Sequence, residues 1–578
     1  MQSIVDHVES ALKNHHQLAF RSELHRNYSD LFVDHDQLAV LERPEWQVVF
    51  GRRGTGKTLL LGMQRERANE RLADDRVLHI FTTAQDCLVS PVGKQMSDEV
   101  KAHAYFHELI RILVARISER VDELLGGRRS LLDQILGAER HKRDRLQDVM
   151  LQLLMEAEIG NPVPAFRSEQ RTRKELHTEK RKAGAAGGVG LKTDGAPLSA
   201  KLEVNVQSER ERLHELEAKV EEVPAARYSS VRARLIDLLD ALHLRALVLQ
   251  IDEWSVLDPT AATAIQPIVA ELLKRTFSGT HRFSIKIATN RYQTKLNNRG
   301  ASTARKGLEL NADIFEATNL DHVFRDEAHL FEFYEELLYR RLRLVEPGLL
   351  AFERVRGDRP GAALVQNIFK DRRAFEVLVR GAEGVPRDFL AAFNEMSRAR
   401  SHRVRPRWET AFVEGSLRKR SVLTRQSEFE YQSEADQLLT LCVRPIVEKL
   451  GTRQFLVRLS DMPILDSALE ELLEKRLIHE VPVHLMLAHA RASYRAFLLD
   501  YGLWLDWEST ASRSSRADER ALPSDVDQLA QCAIDASRVR PDEIVACPHC
   551  NARFSVDARP YVVRGLCASC YEPIRADA

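Results

Sequence analysis

The residues with the clearest chemical meaning form the stretch 48–61, VVFGRRGTGKTLLL. It contains the pattern G-x-x-x-x-G-K-T, in which glycines let backbone N–H groups close on phosphate oxygens before a helix N-terminus. Apolar, β-prone residues before the pattern predict a strand, and leucines after it predict a helix. The flanked pattern predicts a nucleotide-binding P-loop rather than a tight structural turn. Lys57 is expected to reach the β- and γ-phosphates, and the Thr58 hydroxyl to ligate Mg²⁺.

A second informative stretch is the apolar run ALVLQIDEW (246–254), which contains two adjacent acids near its end. Asp252, at the carboxyl end of a predicted strand, is expected to hold Mg²⁺ through water beside Thr58. Glu253 is expected to orient and deprotonate the attacking water. This Walker B pattern is weak by itself and becomes strong downstream of a P-loop. The predicted nucleotide-binding residues are Gly51, Arg52, Arg53, Gly54, Thr55, Gly56, Lys57, Thr58 and Asp252.

The elements that must position these residues follow a parallel α/β pattern. The segments 76–84 (RVLHIFTTA) and 283–290 (FSIKIATN) are short, apolar and β-branched, which predicts buried strands. The second segment ends in Thr289 and Asn290. Further along, Gly384-Val385-Pro386-Arg387 stands at a predicted helix start, where proline suits the first turn.

Four cysteines near the C-terminus have the spacing of a metal site. Cys547, Cys550, Cys567 and Cys570 give C-x₂-C-x₁₆-C-x₂-C, the spacing of a zinc ribbon. Four thiolates leave no open coordination position, so the predicted zinc is structural, and its binding contributes about 10–16 kcal/mol in place of a core. A redox pair would require a thioredoxin-like context, which the sequence lacks. The distribution of the seven cysteines, two C-x₂-C pairs and three single residues, predicts a cytosolic metal site rather than a disulfide framework.

Composition narrows the function only partly. The 578 residues suggest about three to five domains. Because 85 basic residues balance 85 acidic residues, any nucleic-acid contact must depend on local patches. The N-terminus has no apolar signal core and no window approaches about 18 apolar residues, so we expect a cytoplasmic protein with no membrane contact.

Composition leaves two interpretations open for each of two segments. Residues 159–223 are predicted to form an insertion, with a charged part and a glycine-rich part that suits either a β-hairpin or a mobile loop. Residues 398–425 are locally basic and form the best local candidate for contact with a phosphate backbone. A solvated linker would have the same composition.

The segment 433–508 has the pattern of a winged helix. Helices over 435–450 and 465–477 flank a short strand at 455–457, and HEVPVHLML and YRAFLLDYGLWLDW are predicted to form the wing strands. The helix before the wing carries Asp466, Glu470, Glu471 and Glu474. Because these acids repel phosphate, protein–protein contact stands beside DNA binding as an interpretation of this domain.

With these motifs in place, the chain resembles the AAA+ ATPases of the origin-recognition/initiator (ORC-CDC-like) clade, in a prokaryotic branch. The resemblance implies that Asn290, or else Thr289, serves as sensor 1 at the γ-phosphate or the attacking water. It implies that Arg387 serves as sensor 2 from the lid. A polar strand cap and a surface arginine are the respective alternatives. The catalytic residues so implied, together with those derived above, are Glu253, Lys57, Asn290 and Arg387.

The resemblance also implies homo-oligomers in which an arginine finger from one subunit completes the neighbour's site, with a contribution of about 10³–10⁵ in rate. Arg299 and Arg305 are candidates for that finger. Two functions are therefore expected. The first is a Mg²⁺-dependent ATPase that drives assembly or remodelling and engages DNA. The second is a signalling scaffold in which ATP binding orders an oligomer that recruits an effector protein.

The predicted fold class is an α/β P-loop AAA+ core with a parallel sheet, followed by a helical lid, a winged-helix domain and a small C-terminal zinc ribbon. The predicted boundaries are 1–41 for an N-terminal helical segment, 42–320 for the core (with the insertion at 159–223), 321–425 for the lid and basic linker, 426–510 for the winged helix, 511–542 for a linker and 543–578 for the ribbon.

Overall fold

The structure, a computed structural model of the 578-residue sequence, describes two compact units. One unit comprises Met1–Leu24 and Asp321–Ala578, and the other comprises His25–Leu320. The described residues are 4–14, 28–34, 36–88, 97–126, 138–159, 228–258, 264–298, 306–322, 327–350, 359–400, 407–428, 433–487, 492–508, 526–539, 544–550, 553–555, 561, 565–567 and 570–574. The predicted insertion, apart from its first residue, lies outside them, as do Arg299 and Arg305.

The strands and helices have the following bounds. The strands are β1 (Gln47–Phe50), β2 (Val77–Thr83), β3 (Ala246–Asp252), β4 (Phe283–Thr289), β5 (Asn297–Asn298), β6 (Lys306–Gly307), β7 (Glu316–Asn319), β8 (Gln454–Arg458), β9 (Ile478–Leu487), β10 (Ala492–Leu499), β11 (Ile544–Ala546) and β12 (Arg553–Ser555). The α-helices are α1 (Ile4–Asn14), α2 (Gln37–Leu41), α3 (Lys57–Glu70), α4 (Leu72–Asp75), α5 (Asp98–Gly126), α6 (Ala138–Ile159), α7 (Tyr228–Ala241), α8 (Ile265–Phe277), α9 (Glu327–Val345), α10 (Pro360–Ile368), α11 (Arg372–Gly381), α12 (Pro386–Arg400), α13 (Thr410–Glu428), α14 (Glu434–Gln437), α15 (Arg444–Leu450), α16 (Met462–Glu474), α17 (Tyr501–Glu508) and α18 (Val526–Gln531). A π-helix covers Leu438–Val443, and short 3-10 helices cover Gln85–Cys87, Trp254–Leu257, Arg291–Gln293, Leu320–His322, Pro347–Leu350 and Ala536–Arg538.

The unit His25–Leu320 is built on a five-stranded parallel sheet. Its strand order is β2-β3-β4-β1-β7, and every pairing in it is parallel. The strands predicted before the P-loop, at 76–84, at the Walker B acids and at 283–290 are β1, β2, β3 and β4, which confirms the α/β P-loop core. Because β4 lies between β1 and β3, its carboxyl end stands between the P-loop and the Walker B acids.

The two faces of this sheet differ in polarity because side chains alternate along each strand. One face presents residues such as Leu249, Ile285 and Ile287 to an apolar core that α5, α7 and α8 complete. Burial of one such side chain stabilises the fold by about 1.5–3 kcal/mol. The other face packs on α3, the helix that follows the P-loop, and carries buried polar residues such as Gln250 and Lys286.

A pair of helices, α5 and α6, stands between β2 and β3 in the chain and packs against α8 and α7 respectively. The predicted helix of buried apolar residues at 105–124 is confirmed as part of α5, where Leu109, Ile117 and Val121 are fully buried. The next helix is described from Ala138, later than the predicted start near Leu131, because residues 127–137 lie outside the described part.

In the other unit, the predicted lid is a set of helices, α9 to α13, around an aromatic core. Tyr334 and Phe389 have ring centroids 4.6 Å apart, and Trp408 lies 4.9 Å from Phe393 and 5.2 Å from Phe369. Offset and edge-to-face aromatic pairs of this kind add about 0.5–1.5 kcal/mol each beyond burial. The core fixes the start of α12, where the predicted lid arginine Arg387 lies.

The predicted winged-helix segment has the expected helices and a three-stranded antiparallel sheet of order β8-β10-β9. One prediction was wrong, because YRAFLLDYGLWLDW does not continue as a strand. It forms β10 only to Leu499 and then the helix α17. Asp500 ends the strand: its Oδ1 accepts a 3.0 Å hydrogen bond from the Leu503 N–H, the N-cap interaction that starts a helix.

Membrane crossing has no support in the helices. Within the ranges that the structure describes, none is both long and apolar enough to span a bilayer.

Candidate functional site

The P-loop connects buried strand β1 to helix α3. Gly51 donates its backbone N–H to the Thr289 carbonyl of the neighbouring strand at 3.2 Å. A side chain at Gly51 would place Cβ 2.5 Å from the Thr55 hydroxyl, so a larger residue here would displace the Thr55 side chain that closes the loop. Gly56 has a φ of 100° and directly precedes the helix, which starts without a side-chain cap. A helix N-terminus left in this way is suited to bind phosphate.

The carbonyl of Arg52 holds the loop closed. It accepts hydrogen bonds from the Thr55 N–H at 3.3 Å, from the Thr55 hydroxyl at 2.9 Å and from Lys57 Nζ at 3.0 Å. Lys57 Nζ also donates to the Gly51 carbonyl at 2.6 Å. The Lys57 ammonium therefore bonds carbonyl groups of its own loop. The same ammonium is predicted to contact the phosphates that the loop binds. Arg52 is buried and Arg53 is exposed, so the two arginines of this loop differ in their environment.

The two predicted magnesium ligands are in direct contact. The Thr58 hydroxyl, in the first turn of α3, donates to Asp252 Oδ2 at 2.5 Å. Asp252 is 2% exposed, and its other oxygen, Oδ1, accepts from the Glu253 N–H at 2.8 Å. A hydroxyl and a carboxylate are hard oxygen ligands, the type that Mg²⁺ requires, so the residues present fit this ion.

Glu253 has an unusual backbone. Its φ is 55°, in the left-handed region that non-glycine residues rarely occupy, and its side chain is exposed. This conformation turns the chain sharply at the end of β3, so that Asp252 is buried against α3 while the next carboxylate faces solvent. Backbone strain of this kind costs about 1–3 kcal/mol and is concentrated at functional sites.

The structure distinguishes between the two predicted sensor-1 residues. Thr289 is fully buried, and its hydroxyl hydrogen-bonds the Thr294 hydroxyl at 2.7 Å. Asn290, the first residue after β4, is only partly buried, and its Nδ2 lies 3.4 Å from Gln293 Oε1. The side chain of Asn290 is therefore more accessible than that of Thr289, and the role of either residue at a nucleotide stays a prediction.

A row of buried polar residues lies beneath the P-loop helix and was not predicted as part of the site. In neighbouring strands, Gln250, Lys286 and Gln47 are in register. Gln250 Nε2 donates to Gln64 Oε1 at 2.7 Å and to the Leu61 carbonyl at 3.1 Å, which joins the Walker B strand to α3. The one signal in the sequence was that Gln250 interrupts an otherwise apolar run.

Lys286 extends this row toward β1. It is fully buried, and Nζ donates to Gln47 Oε1 and to the Glu45 carbonyl, each at 2.7 Å. Burial lowers the pKa of Lys286 to about 7, an effect that the carboxylates of Glu45 and Glu316 oppose. These bonds anchor the chain that enters β1, the strand that delivers the P-loop.

Arg387, the predicted lid arginine, is the second residue of α12 and belongs to the unit that contains Asp321–Ala578. Its role at the nucleotide stays a prediction. The helix start is built by a tight turn in which Glu383 and Gly384 have φ values of 47° and 76°. The Val385 N–H then donates to the Ala382 carbonyl at 2.8 Å, and Val385 is fully buried.

Two arginines of the predicted basic segment 398–425 form ion pairs with acids of the same unit. Arg420 Nη1 donates to Glu395 Oε1 at 2.8 Å, and Arg425 Nη2 donates to Asp436 Oδ1 at 2.6 Å. Both arginines are about three-quarters buried. A charge that is held by a carboxylate neutralises a phosphate less well, so these two positions favour an internal structural role.

The four cysteines of the predicted zinc ribbon lie together. Their sulfur atoms are within 4.8 Å of one another, and the Cys547–Cys570 and Cys550–Cys567 pairs are each separated by 3.7 Å. A tetrahedral zinc with Zn–S bonds of about 2.3 Å places its sulfurs about 3.8 Å apart, so the cluster fits this ion. Strands β11 and β12 form a small hairpin beside Cys547.

The comparisons with known proteins give distant structural similarity only. No protein-family model and no curated protein sequence matches the chain. The Aeropyrum pernix ORC2 protein, solved in ADPNP–ADP complexes, is 11% identical, with 82% of this chain and 92% of that one covered and a TM-score of 0.33. Drosophila ORC bound to DNA is 12% identical (87% and 91% covered, TM-score 0.28). The Aeropyrum pernix ORC1 protein in complex with DNA is 12% identical (84% and 97% covered, TM-score 0.26).

These structures carry the name of the clade that the sequence resembles. At TM-scores below 0.5, however, the assignment of the fold rests on the chain's own features: the parallel sheet, the closed P-loop and the contact between Thr58 and Asp252.

Proposed function

We propose that the protein is an AAA+ ATPase of the ORC-CDC-like clade, which binds ATP with Mg²⁺, hydrolyses it and assembles into homo-oligomers that engage DNA. One observation carries the enzymatic part: the 2.5 Å hydrogen bond between the Thr58 hydroxyl and Asp252 Oδ2, at the carboxyl edge of a parallel sheet and beside a closed P-loop. A structural turn would not require a buried carboxylate on the hydroxyl that follows the P-loop lysine.

In this proposal each residue has a separate task. The backbone N–H groups of Gly54, Gly56, Lys57 and Thr58 bind phosphate oxygens, and the Lys57 ammonium contributes a positive charge to them. Thr58 and Asp252 hold Mg²⁺, which neutralises charge on the phosphates when bound. Glu253 accepts the proton of the attacking water, and Asn290 orients that water or the γ-phosphate. Arg387 contributes a second positive charge from the lid.

The enzymatic part is tested by Glu253→Gln in the full chain, with MgATP as the substrate. Loss of the general base should lower the turnover number by about 10²-fold or more while ATP still binds. Glu119→Gln is the matched control, because it removes an exposed carboxylate from α5 in the same unit. Turnover at the wild-type rate in Glu253→Gln would refute the assignment of Glu253, and absence of ATP binding to the wild type would refute the nucleotide site.

The assembly and DNA parts are tested by sizing Glu253→Gln with ATP, with and without duplex DNA. ATP-dependent growth of the particle supports an oligomer, and further growth with DNA supports DNA engagement. A monomer that responds to neither would refute both parts. The arginine finger stays a prediction for Arg299 and Arg305.

One observation favours the alternative, a nucleotide-switched signalling scaffold that recruits an effector protein. Helix α16, at the position of a recognition helix, exposes Asp466, Glu470 and Glu474 and buries its apolar residues. Acidic side chains on this face repel phosphate and suit a basic protein surface. ATP-driven assembly with slow hydrolysis and no response to DNA would support the scaffold over the DNA-engaging ATPase.

For the C-terminal cluster, we propose one structural zinc ion held by Cys547, Cys550, Cys567 and Cys570. The sulfur geometry supports it, and four thiolates leave no position for a substrate.

A further inference from the structure

We infer that two arginines of the winged-helix segment, Arg453 and Arg476, are positioning residues for the lid arginine Arg387. They bind the acids on either side of it, so that the conformation of the winged helix is coupled to nucleotide binding. This inference rests on the proposed function, in which Arg387 contacts the bound nucleotide. All the residues concerned lie in the unit that contains Asp321–Ala578.

The first contact holds the turn that precedes Arg387. Arg453 Nη1 donates to Glu383 Oε1 at 2.5 Å and to the Leu499 carbonyl at 2.9 Å. The Arg453 side chain is fully buried, and that of Glu383 is 6% exposed. The guanidinium carbon of Arg453 lies 5.1 Å from the centroid of the Tyr501 ring. Removing one partner of such a buried pair leaves an uncompensated charge in the interior, so the two residues stabilise each other there.

Glu383 is also the strained residue of that turn. Its φ of 47° is unfavourable for a residue with a side chain, whereas the following residue, Gly384, adopts its φ of 76° without cost. A non-glycine residue persists in this region only where surrounding contacts over-determine it. The buried bond from Arg453 is such a contact, so the winged helix stabilises the turn that sets the start of α12.

The second contact holds the residue that follows Arg387. Arg476, the second residue after α16, donates from Nη1 to Asp388 Oδ1. Arg476 has a φ of 63°, and its backbone N–H bonds the Leu473 carbonyl at 3.2 Å, so it closes the end of α16. Arg420 of α13 also approaches Asp388 Oδ1, at 3.9 Å. Asp388 is therefore held chiefly from the end of α16, the helix at the recognition position.

Together the two contacts bracket one short segment. Arg453 lies before β8 and Arg476 lies between α16 and β9, so the two arginines come from separate points of the winged-helix segment. Their partners, Glu383 and Asp388, enclose Arg387 in the chain. A ligand that shifts α16 or β9 must therefore shift the start of α12 or break a partly buried ion pair.

Arg476→Met is the test variant, because Arg476 is one-quarter exposed and its loss spares the buried Arg453. Arg476→Lys keeps the charge and should restore most of the effect. Arg444→Met is the matched control, since it breaks an exposed pair with Glu448 inside the same segment. The measurements are hydrogen exchange over residues 383–390 in the full chain, and kcat and KM for MgATP with and without Arg387→Ala.

The coupling predicts that Arg476→Met speeds exchange in the first turn of α12 by about 10-fold and lowers kcat/KM for ATP by about 5-fold. In an Arg387→Ala background, Arg476→Met should cause no further loss of kcat/KM, because both substitutions remove the same contribution of Arg387. Multiplicative losses, exchange equal to that of Arg444→Met, or an Arg387→Ala variant with normal kinetics would overturn the inference. Failure of the proposed function is distinct, since it appears as normal turnover in Glu253→Gln or as no ATP binding by the wild type.

Discussion

The Thr58 hydroxyl and the Asp252 carboxylate, which lie on a helix and a strand far apart in the sequence, are joined by a 2.5 Å hydrogen bond. Asp252 is almost fully buried, and its second oxygen is held by the Glu253 N–H at 2.8 Å. The two predicted magnesium ligands are thus fixed by the packing of α3 on β3 rather than by flexible surface groups. Preorganised ligands bind a metal without paying the entropy of ordering side chains.

Thr58→Ala should therefore weaken Mg²⁺-dependent ATP binding. Loss of the hydroxyl removes one predicted metal ligand and one hydrogen-bond donor to the buried Asp252, so we expect the affinity for MgATP to fall by about 10-fold or more. The change in affinity for ATP without Mg²⁺ should be smaller. Thr58→Ser, which keeps the hydroxyl, is the control. Calorimetric titration with and without Mg²⁺ measures both values, and equal losses in the two conditions would exclude Thr58 as a metal ligand.

Gln250→Leu should loosen the P-loop helix from the Walker B strand. Each single change, Gln250→Leu or Gln64→Leu, removes the hydrogen bond between the two buried amides and should destabilise the unit by about 1–3 kcal/mol. The double variant replaces both amides with apolar groups and should cost less than the sum of the single variants. Urea unfolding, with hydrogen exchange over α3 and β3, measures the three values. Additive costs would show that the Gln250–Gln64 hydrogen bond does not couple the two elements.

Asp500 should give the winged-helix segment a pH dependence. Burial raises the pKa of Asp500 to about 6, while hydrogen bonds from Ser421 and the Leu503 N–H oppose the rise. Between the unfolded value of 3.8 and about 6, the folded state binds more protons than the unfolded state, so stability falls as pH rises through this window.

Asp500→Asn removes this titration and keeps an oxygen that can accept from Leu503. Relative to the variant, the wild type should lose unfolding free energy on the order of 1 kcal/mol between about pH 5 and pH 7.5. Urea unfolding monitored by the fluorescence of Trp504 and Trp507 in α17 measures the difference at each pH. The opposite sign, with the wild type gaining stability toward pH 7.5, would show that Asp500 is ionised in the folded protein at low pH.

The C-terminal cluster should bind one zinc ion per chain. Cys567→Ser removes a buried ligand, and zinc content measured by atomic emission should fall below one equivalent while the ATPase rate is unchanged. Cys87→Ala, which changes a buried cysteine of the other unit, should leave the zinc content intact. Full zinc occupancy in Cys567→Ser would exclude a four-thiolate site.

Local patterns predicted the parts of this protein whose chemistry depends on neighbours in the chain. The P-loop needs its glycines, lysine and threonine at fixed spacing between a strand and a helix, and β1 and α3 occur where that pattern placed them. The two C-x₂-C pairs likewise predicted a four-sulfur cluster from their spacing alone, because each pair forms half of a tetrahedral site. One local pattern failed: the apolar run 494–507 suits a strand or a buried helix equally, and the Asp500 cap decided between them.

Contacts between distant residues were decided only by the tertiary structure. By itself, the sequence determined that the predicted strand 283–290 ends in Thr289 and Asn290, but the strand order that inserts β4 between β1 and β3 depends on pairing across the whole sheet. Composition marked Arg420 as a candidate phosphate contact, whereas the fold supplies Glu395 as its partner. No spacing rule links Arg453 to Glu383 across 70 residues. Such pairs form because folding buries both charges in one place, where each requires the other, and that requirement is visible only once the chain has packed.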